Sequence, residues 1–183
     1  PDITLILGDR YEILSAAISS TFLKIPIAHI HGGEITEGAI DDMIRHAITK
    51  LSHMHFVSTE TYKKRVIQMG EQPKNVHYVG SLGVENLKKI SLLPKKELEK
   101  ELCFKFLKKN IMLTYHPVTL DKDPAQGIDI LLKVLNQFPD VGKIFTYSNA
   151  DILGYQITEK IIRFVKKDKN SIIYSNLGQI NFF

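Results

Sequence analysis

Apolar positions along the chain follow two alternating patterns. Short runs rich in β-branched and aromatic residues predict strands: "DITLILG" (2 to 8), "PIAHIH" (26 to 31), "HMHFVS" (53 to 58), "NVHYVG" (75 to 80), "NIMLTYH" (110 to 116), "KIFTYS" (143 to 148) and "SIIYS" (171 to 175). Between them, apolar residues at helical spacing predict helices over roughly 10–23, 39–52, 59–70, 95–109, 125–138 and 153–167. Strands separated by helices require right-handed crossovers and parallel sheets covered on both faces, so the fold class is α/β. Ligands of such sheets collect beyond the carboxyl ends of the strands. That rule selects "GDR", "HGGE", "STE", "HPVT" and "SNAD" as the segments where chemistry belongs.

The alternation breaks at "SLGVENLKKISLLP" (81 to 94), which divides the chain into two Rossmann-like units, residues 1–86 and 87–183. Both ends look abrupt. A strand begins almost at residue 1 and "NLGQINFF" completes no unit, so an incomplete two-unit architecture is expected. Charge is uneven: residues 1–86 hold 8 Lys/Arg against 10 Asp/Glu, and residues 87–183 hold 16 against 10. Lys and Glu interleave with apolar positions in "LKKISLLPKKELEKELCFKFLKKN", the pattern of a solvated helix face, and no aromatic residues alternate with the basic ones, so nucleic acid is not an expected partner. No apolar run approaches the roughly 20 residues that span a bilayer and no basic-apolar leader is present; no membrane association and a cytoplasmic location are expected. Cys103 is the only cysteine, which rules out an internal disulfide.

Candidate chemistry concentrates in "AHIHGGEITEGAIDDMIRHAITK" (28 to 50) and at neighbouring strand ends. Asp9 and Arg10 sit where the first strand opens into a helix. Asp9 either caps that helix or meets a ligand, whereas Arg10, able to fork to phosphate or carboxylate, has no capping role. His29 and His31 alternate with apolar residues and so face one side of their strand; His53 and His55 repeat the spacing. Two readings are open for these pairs: a metal site, or rings bonded to backbone. Gly32, Gly33 and Gly38 permit left-handed backbone and close approach of a ligand. On the following helix, Ile40, Met43, Ile44, Ala47, Ile48 and Leu51 make the expected core face. Asp41 and Arg45 flank it near the loop, while Asp42 and His46 read as an i, i+4 support pair. His116 precedes Pro117 and is thereby held in extended or turn backbone. Asn149 and Asp151 are placed to cap a helix or to contact a ligand.

Taken together, "GDRYE", "IPIAHIHGGEITEGAIDDMIRHAITKLSHMHFVST", "YVGSLGVENL", "TYHPVT" and "SNAD" resemble the hydrolysing UDP-N-acetylglucosamine 2-epimerases of sialic-acid-type sugar synthesis. The resemblance extends over nearly the whole chain. It implies a glycosyltransferase-B-like fold of two Rossmann-like units, with residues 1–86 the later part of the first domain and 87–183 the earlier part of the second, nucleotide-binding one. It also implies conversion of UDP-N-acetylglucosamine and water to N-acetylmannosamine and UDP, without metal or other cofactor, by a homo-oligomer. On the family pattern Asp9, Asp41 and His116 fall at catalytic positions, and Arg10, Arg45, Gly32, Gly33 and Asn149 at substrate-binding ones. Where several relatives have "HIEGGE" this chain has "HIHGGE", so either His31 or Glu34 supplies the proton-transfer group. Competing expectations are a hydrolysing 2-epimerase of a UDP-2,4-diacetamido sugar, a non-hydrolysing epimerase, a UDP-sugar-binding module without catalysis, and a metal hydrolase.

Overall fold

A computed structural model describes residues 1–123, 125–151 and 153–182. It holds two compact units, dividing between Lys89 and Ile90. The first contains β1 (Thr4–Leu7), α1 (Tyr11–Phe22), β2 (Ile27–Ile30), α2 (Ile40–Leu51), β3 (Met54–Val57), α3 (Glu60–Gln68), a 3-10 turn (Pro73–Asn75), β4 (Val76–Tyr78) and α4 (Leu82–Lys89). Its strands form one parallel sheet in the order β1-β2-β3-β4. Ile6, Ala17, Ile27 and Ile48 bury one part of the core, and Val57, Val66 and Val76 another. The boundary expected after residue 86 falls inside α4, which stays with the first unit.

α2 is rotated relative to its apolar pattern. Ile44, Ile48 and Leu51 pack inward as expected, but Ile40 and Met43 are 42% and 56% exposed and Ala47 is exposed. The inward face is instead completed by Arg45 and Thr49, both buried. The polar partners of these two side chains, described below, turn the helix away from the orientation that hydrophobicity alone would choose.

The second unit contains α5 (Lys95–Glu101), β5 (Lys109–Leu113), α6 (Gln126–Leu135), β6 (Val141–Thr146), α7 (Gly154–Val165), β7 (Ser171–Tyr174) and α8 (Gly178–Phe182), with the parallel sheet order β5-β6-β7. Ala125, Ile128, Leu135, Phe145, Ile157 and Ile161 make one core cluster, and Leu102, Phe104, Ile144 and Leu177 make a second. The helix expected over 95–109 stops at Glu101. Leu102 and Phe104 turn into the core there, with Cys103 between them in left-handed backbone (φ 48°).

Lys143 on β6 is fully buried, its Nζ 2.7 Å from Asp168 Oδ2 and 3.1 Å from the Val141 carbonyl. Burial raises the Asp168 carboxyl, but bonds from Lys143, Ser171 and the Asn170 backbone more than reverse it, leaving its pKa below the usual value. Removing one partner of such a pair strands the other charge. Asp168→Ala is therefore expected to lose about 3 kcal/mol in urea denaturation, and Lys143→Met distinctly less, because the remaining carboxylate is partly solvated.

Candidate active site

The connection from β1 to α1 is three residues long, and Gly8 turns it with φ 89°. Asp9 follows. The N-cap of α1 is Arg10, with no side-chain capping bond. The Asp9 carboxylate instead receives the Arg45 guanidinium from α2. Arg45 is 3% exposed, and both of its terminal nitrogens have further acceptors: Nη1 bonds the Glu34 carbonyl at 3.0 Å and Asp42 Oδ1 at 3.3 Å, and Nη2 bonds Thr36 Oγ1 at 2.8 Å. A planar five-donor fork suits this task, where a lysine would reach fewer acceptors. Asp42, expected only to support the helix through His46, also accepts the Thr36 backbone N–H at 2.8 Å and so belongs to the loop network.

β2 ends at Ile30, so the pleat no longer orients His31. Its backbone is left-handed (φ 68°), a costly geometry for a residue with a Cβ. The expectation that His29 and His31 share a strand face is thereby corrected. His31 Nδ1 lies 2.6 Å from Glu34 Oε1, which also accepts the Ser58 hydroxyl at 2.8 Å. An ionised carboxylate only accepts, so Nδ1 carries the hydrogen and the lone pair of the neutral ring sits on Nε2. His31 and Glu34 thus form one dyad rather than alternatives.

The other histidines each have a separate bond. His29 Nε2 donates to the Gly8 carbonyl at 2.8 Å, His53 Nδ1 accepts the Ile27 N–H at 3.2 Å, and His55 Nε2 meets Glu71 Oε2 at 3.2 Å. Although His29 and His55 are neighbours in register across β2 and β3, no group of three or more His, Cys, Asp or Glu side chains among the described residues is arranged to hold a metal ion. The backbone-bonded reading of the two His-x-His pairs is the one realised for His29 and His53.

Gly32 and Gly33 are accounted for by packing. A Cβ on Gly32 would lie 3.1 Å from His29 Nδ1 and from Thr49 Oγ1; on Gly33 (φ 78°) it would lie 2.7 Å from the Tyr62 carbonyl oxygen. Arg10 pairs with Glu12 at 3.3 Å and lies over the Tyr11 ring. Asp41 occupies the first turn of α2 beside Asp42.

In the second unit β5 ends at Leu113, leaving His116 in the loop beyond it. The Asn149 backbone N–H donates to His116 Nδ1 at 3.2 Å, so the neutral ring carries its hydrogen on Nε2. The N-cap of α7 is Leu153. The Oδ1 of Asn149 and the Oγ of Ser148 are buried without a partner, beside a depression of about 520 Å³ lined by Tyr147, Tyr155 and Arg163.

The first unit therefore gathers Asp9, His31, Glu34 and Arg45 at adjacent strand ends, and the second joins His116 to Asn149. Sequence reasoning passed over Thr36, Thr49 and Ser58. Ser58 had a signal, because it lies in the "STE" segment that the strand-end rule singled out; Thr49 had a weaker one, one turn beyond Arg45.

The two parallel-sheet units, and their likeness to the solved structure of an epimerase given below, put the fold in the glycosyltransferase-B-like class. Residues 1–183 match the family model described as UDP-N-acetylglucosamine 2-epimerase, and the chain belongs to that family. Over 180 residues it is 46% identical to a GDP/UDP-N,N'-diacetylbacillosamine 2-epimerase (hydrolyzing) of Campylobacter jejuni, covering 97% of this chain and 47% of the relative. It is 45% identical over 170 residues to the polysialic acid biosynthesis protein P7 of Escherichia coli, covering 92% and 43%. The crystal structure of UDP-GlcNAc 2-epimerase from Neisseria meningitidis bound to UDP-GlcNAc superposes with a TM-score of 0.74 at 19% identity, over 100% of this chain and 51% of that one. The chain spans about half the length of the curated relatives it matches. No helix among the described residues is long and apolar enough to cross a membrane.

His29, fully buried, has its pKa lowered from 6.5 to about 4: burial dominates, and competition with a charge on His55 and the Arg45 guanidinium add to it, against the Gly8 bond and Asp9, which favour the charged ring. Between those pH values the unfolded chain binds a proton that the folded chain excludes, so this contribution is complete above the unfolded value and is lost as pH falls toward the folded one. Stability measured by urea denaturation from pH 7 to 4.5 is expected to fall by about 2 kcal/mol more in the wild type than in His29→Gln, which carries no titrating group there.

Proposed function

We propose that the chain carries the catalytic loops of the first domain and part of the nucleotide-binding domain of a hydrolysing UDP-sugar 2-epimerase. The observation that carries this reading is the network of Asp9, Arg45, Glu34 and His31 at the ends of β1 and β2. Inverting C2 of a 2-acetamido sugar requires a proton to leave one face and another to arrive at the opposite one. In the first step the C2–H proton passes to a base, the bond between C1 and the UDP oxygen breaks with its electron pair on the diphosphate, and a C1=C2 double bond remains in a 2-acetamidoglucal. In the second, water adds hydroxyl to C1 and a proton reaches C2 from the other face.

The His31/Glu34 dyad suits one proton transfer, because the carboxylate fixes the ring and stabilises the imidazolium that forms. Asp9 and Asp41 serve the remaining acid/base steps, with Asp9 oriented by Arg45. Arg10 in the first unit and the Nε2–H of His116 in the second are each suited to stabilise a departing diphosphate, and Asn149 holds the histidine in that tautomer. Gly32 and Gly33 keep the turn close to the sheet beside the sugar, and no other cofactor enters the scheme. The assembly is a homo-oligomer on this reading, as the family resemblance implies.

UDP-N-acetylglucosamine, giving N-acetylmannosamine, is the substrate the motifs favour. The Campylobacter relative's name supports a second reading, a UDP-2,4-diacetamido sugar.

The polypeptide extended to the length of its relatives, incubated with each sugar nucleotide in deuterated water, is expected to release UDP and place one deuterium at C2 of the free 2-epimer, followed by NMR. Asp9→Asn and His31→Gln are expected to lower turnover by about 10²- to 10⁴-fold while UDP binding persists. Intact UDP-linked product would mean a non-hydrolysing epimerase, and UDP binding without turnover in the unmutated protein would mean a binding module.

A further inference from the structure

We infer that His29 is a positioning residue that sets the placement of Asp9 against Arg45 by clamping the Gly8 carbonyl from inside the sheet. The inference rests on the proposed role of Asp9 and deepens it. Gly8 is the last residue before Asp9, and its carbonyl belongs to the peptide plane whose other side is the Asp9 nitrogen. Fixing that plane fixes where the Asp9 Cα leaves the strand. His29 Nε2 holds this plane through the Gly8 carbonyl at 2.8 Å, and the preceding plane is held by the Gly8 N–H to the Ile30 carbonyl at 3.1 Å.

The far side of the ring meets α2. With its Nε2–H given to Gly8, the ring can only accept at Nδ1, which lies 3.3 Å from Thr49 Oγ1; the single hydrogen of that hydroxyl goes to the Arg45 carbonyl at 2.9 Å or to Nδ1, one at a time. Gly8, His29, Thr49 and Arg45 thus touch in succession, and the Asp9–Arg45 ion pair closes the ring of contacts. His29 and Thr49 are both fully buried, so no water competes for these bonds. Gly32 supports them by leaving its side-chain space to both His29 Nδ1 and Thr49 Oγ1. A histidine needed merely to fill the core would have no reason to carry a donor toward the one carbonyl that precedes the catalytic carboxylate.

Three substitutions separate positioning from packing. A glutamine amide nitrogen reaches the place of Nε2, an asparagine amide only that of Nδ1, and leucine fills the volume with no donor. With the extended polypeptide, His29→Leu and His29→Asn are expected to lose about 100-fold in kcat with KM within about threefold, the size of effect that a misplacement near 1 Å produces. His29→Gln is expected to recover most of that loss. Glutamine no better than leucine, or a loss confined to KM or to thermal stability, would overturn the inference.

A second measurement is independent of turnover. In ¹⁵N NMR the unmutated protein is expected to show His29 as the Nε2–H tautomer, and the Asp9 amide resonance is expected to move in His29→Leu but hold in His29→Gln. An Nδ1–H tautomer, or an Asp9 amide indifferent to leucine, would sink the positioning role even if UDP is released. Absence of UDP release with the expected spectra would instead remove the functional reading and leave the clamp standing.

Discussion

A guanidinium held almost out of water needs a carboxylate and further acceptors around it, and this requirement at Arg45 organises the first unit. It draws the Asp9 carboxylate inward from β1, the Glu34 carbonyl and the Thr36 hydroxyl from the loop after β2, and Asp42 from its own helix. The end of β1 is thereby tied to the loop after β2 and to α2, both well beyond it along the chain. The same requirement turns α2 so that Arg45 and Thr49, rather than Met43 and Ala47, face the sheet. Arg45 thus acts as the keystone of the loops, and the apolar contacts of Ile44 and Ile48 hold the helix that carries it.

The buried histidine of β2 extends this logic into the sheet. Polar groups inside a parallel sheet cost stability unless satisfied, and here their satisfaction ties the strand that presents Asp9 to the helix that presents Arg45. In the second unit the buried Lys143 with Asp168 has a different character. It lies at the opposite ends of the strands from His116 and secures the turn from α7 to β7.

Much of this was legible in the sequence because it rests on short-range pattern. Seven strands and most of the helices between them follow from apolar periodicity; Asp9 and Glu34 stood out because ionisable residues at strand ends are where α/β sheets work, and Arg45 because it flanks the helix one turn beyond Asp41. What escaped depended on three-dimensional partners. The periodicity of α2 placed Met43 inside because it does not register a guanidinium that must reach Asp9. Helix α4 was read as a linker, its apolar residues being sparse and half exposed. His31 and Glu34 looked like competitors because strand alternation, which ends one residue before His31, hides the turn that brings them together. Asn149 offered a helix cap or a ligand contact, and the structure adds a third role through its backbone, which bonds His116.

The left-handed backbone at His31 has an evolutionary consequence. Outside glycine, that conformation costs on the order of 1 kcal/mol, and glycine or asparagine would relieve it. A chain refined for folding alone would drift toward those residues at position 31. A side chain with a Cβ at this turn, imidazole here, sets local backbone strain against the bond it makes to Glu34, so variants selected for stability and variants selected to keep that bond should diverge first at this turn.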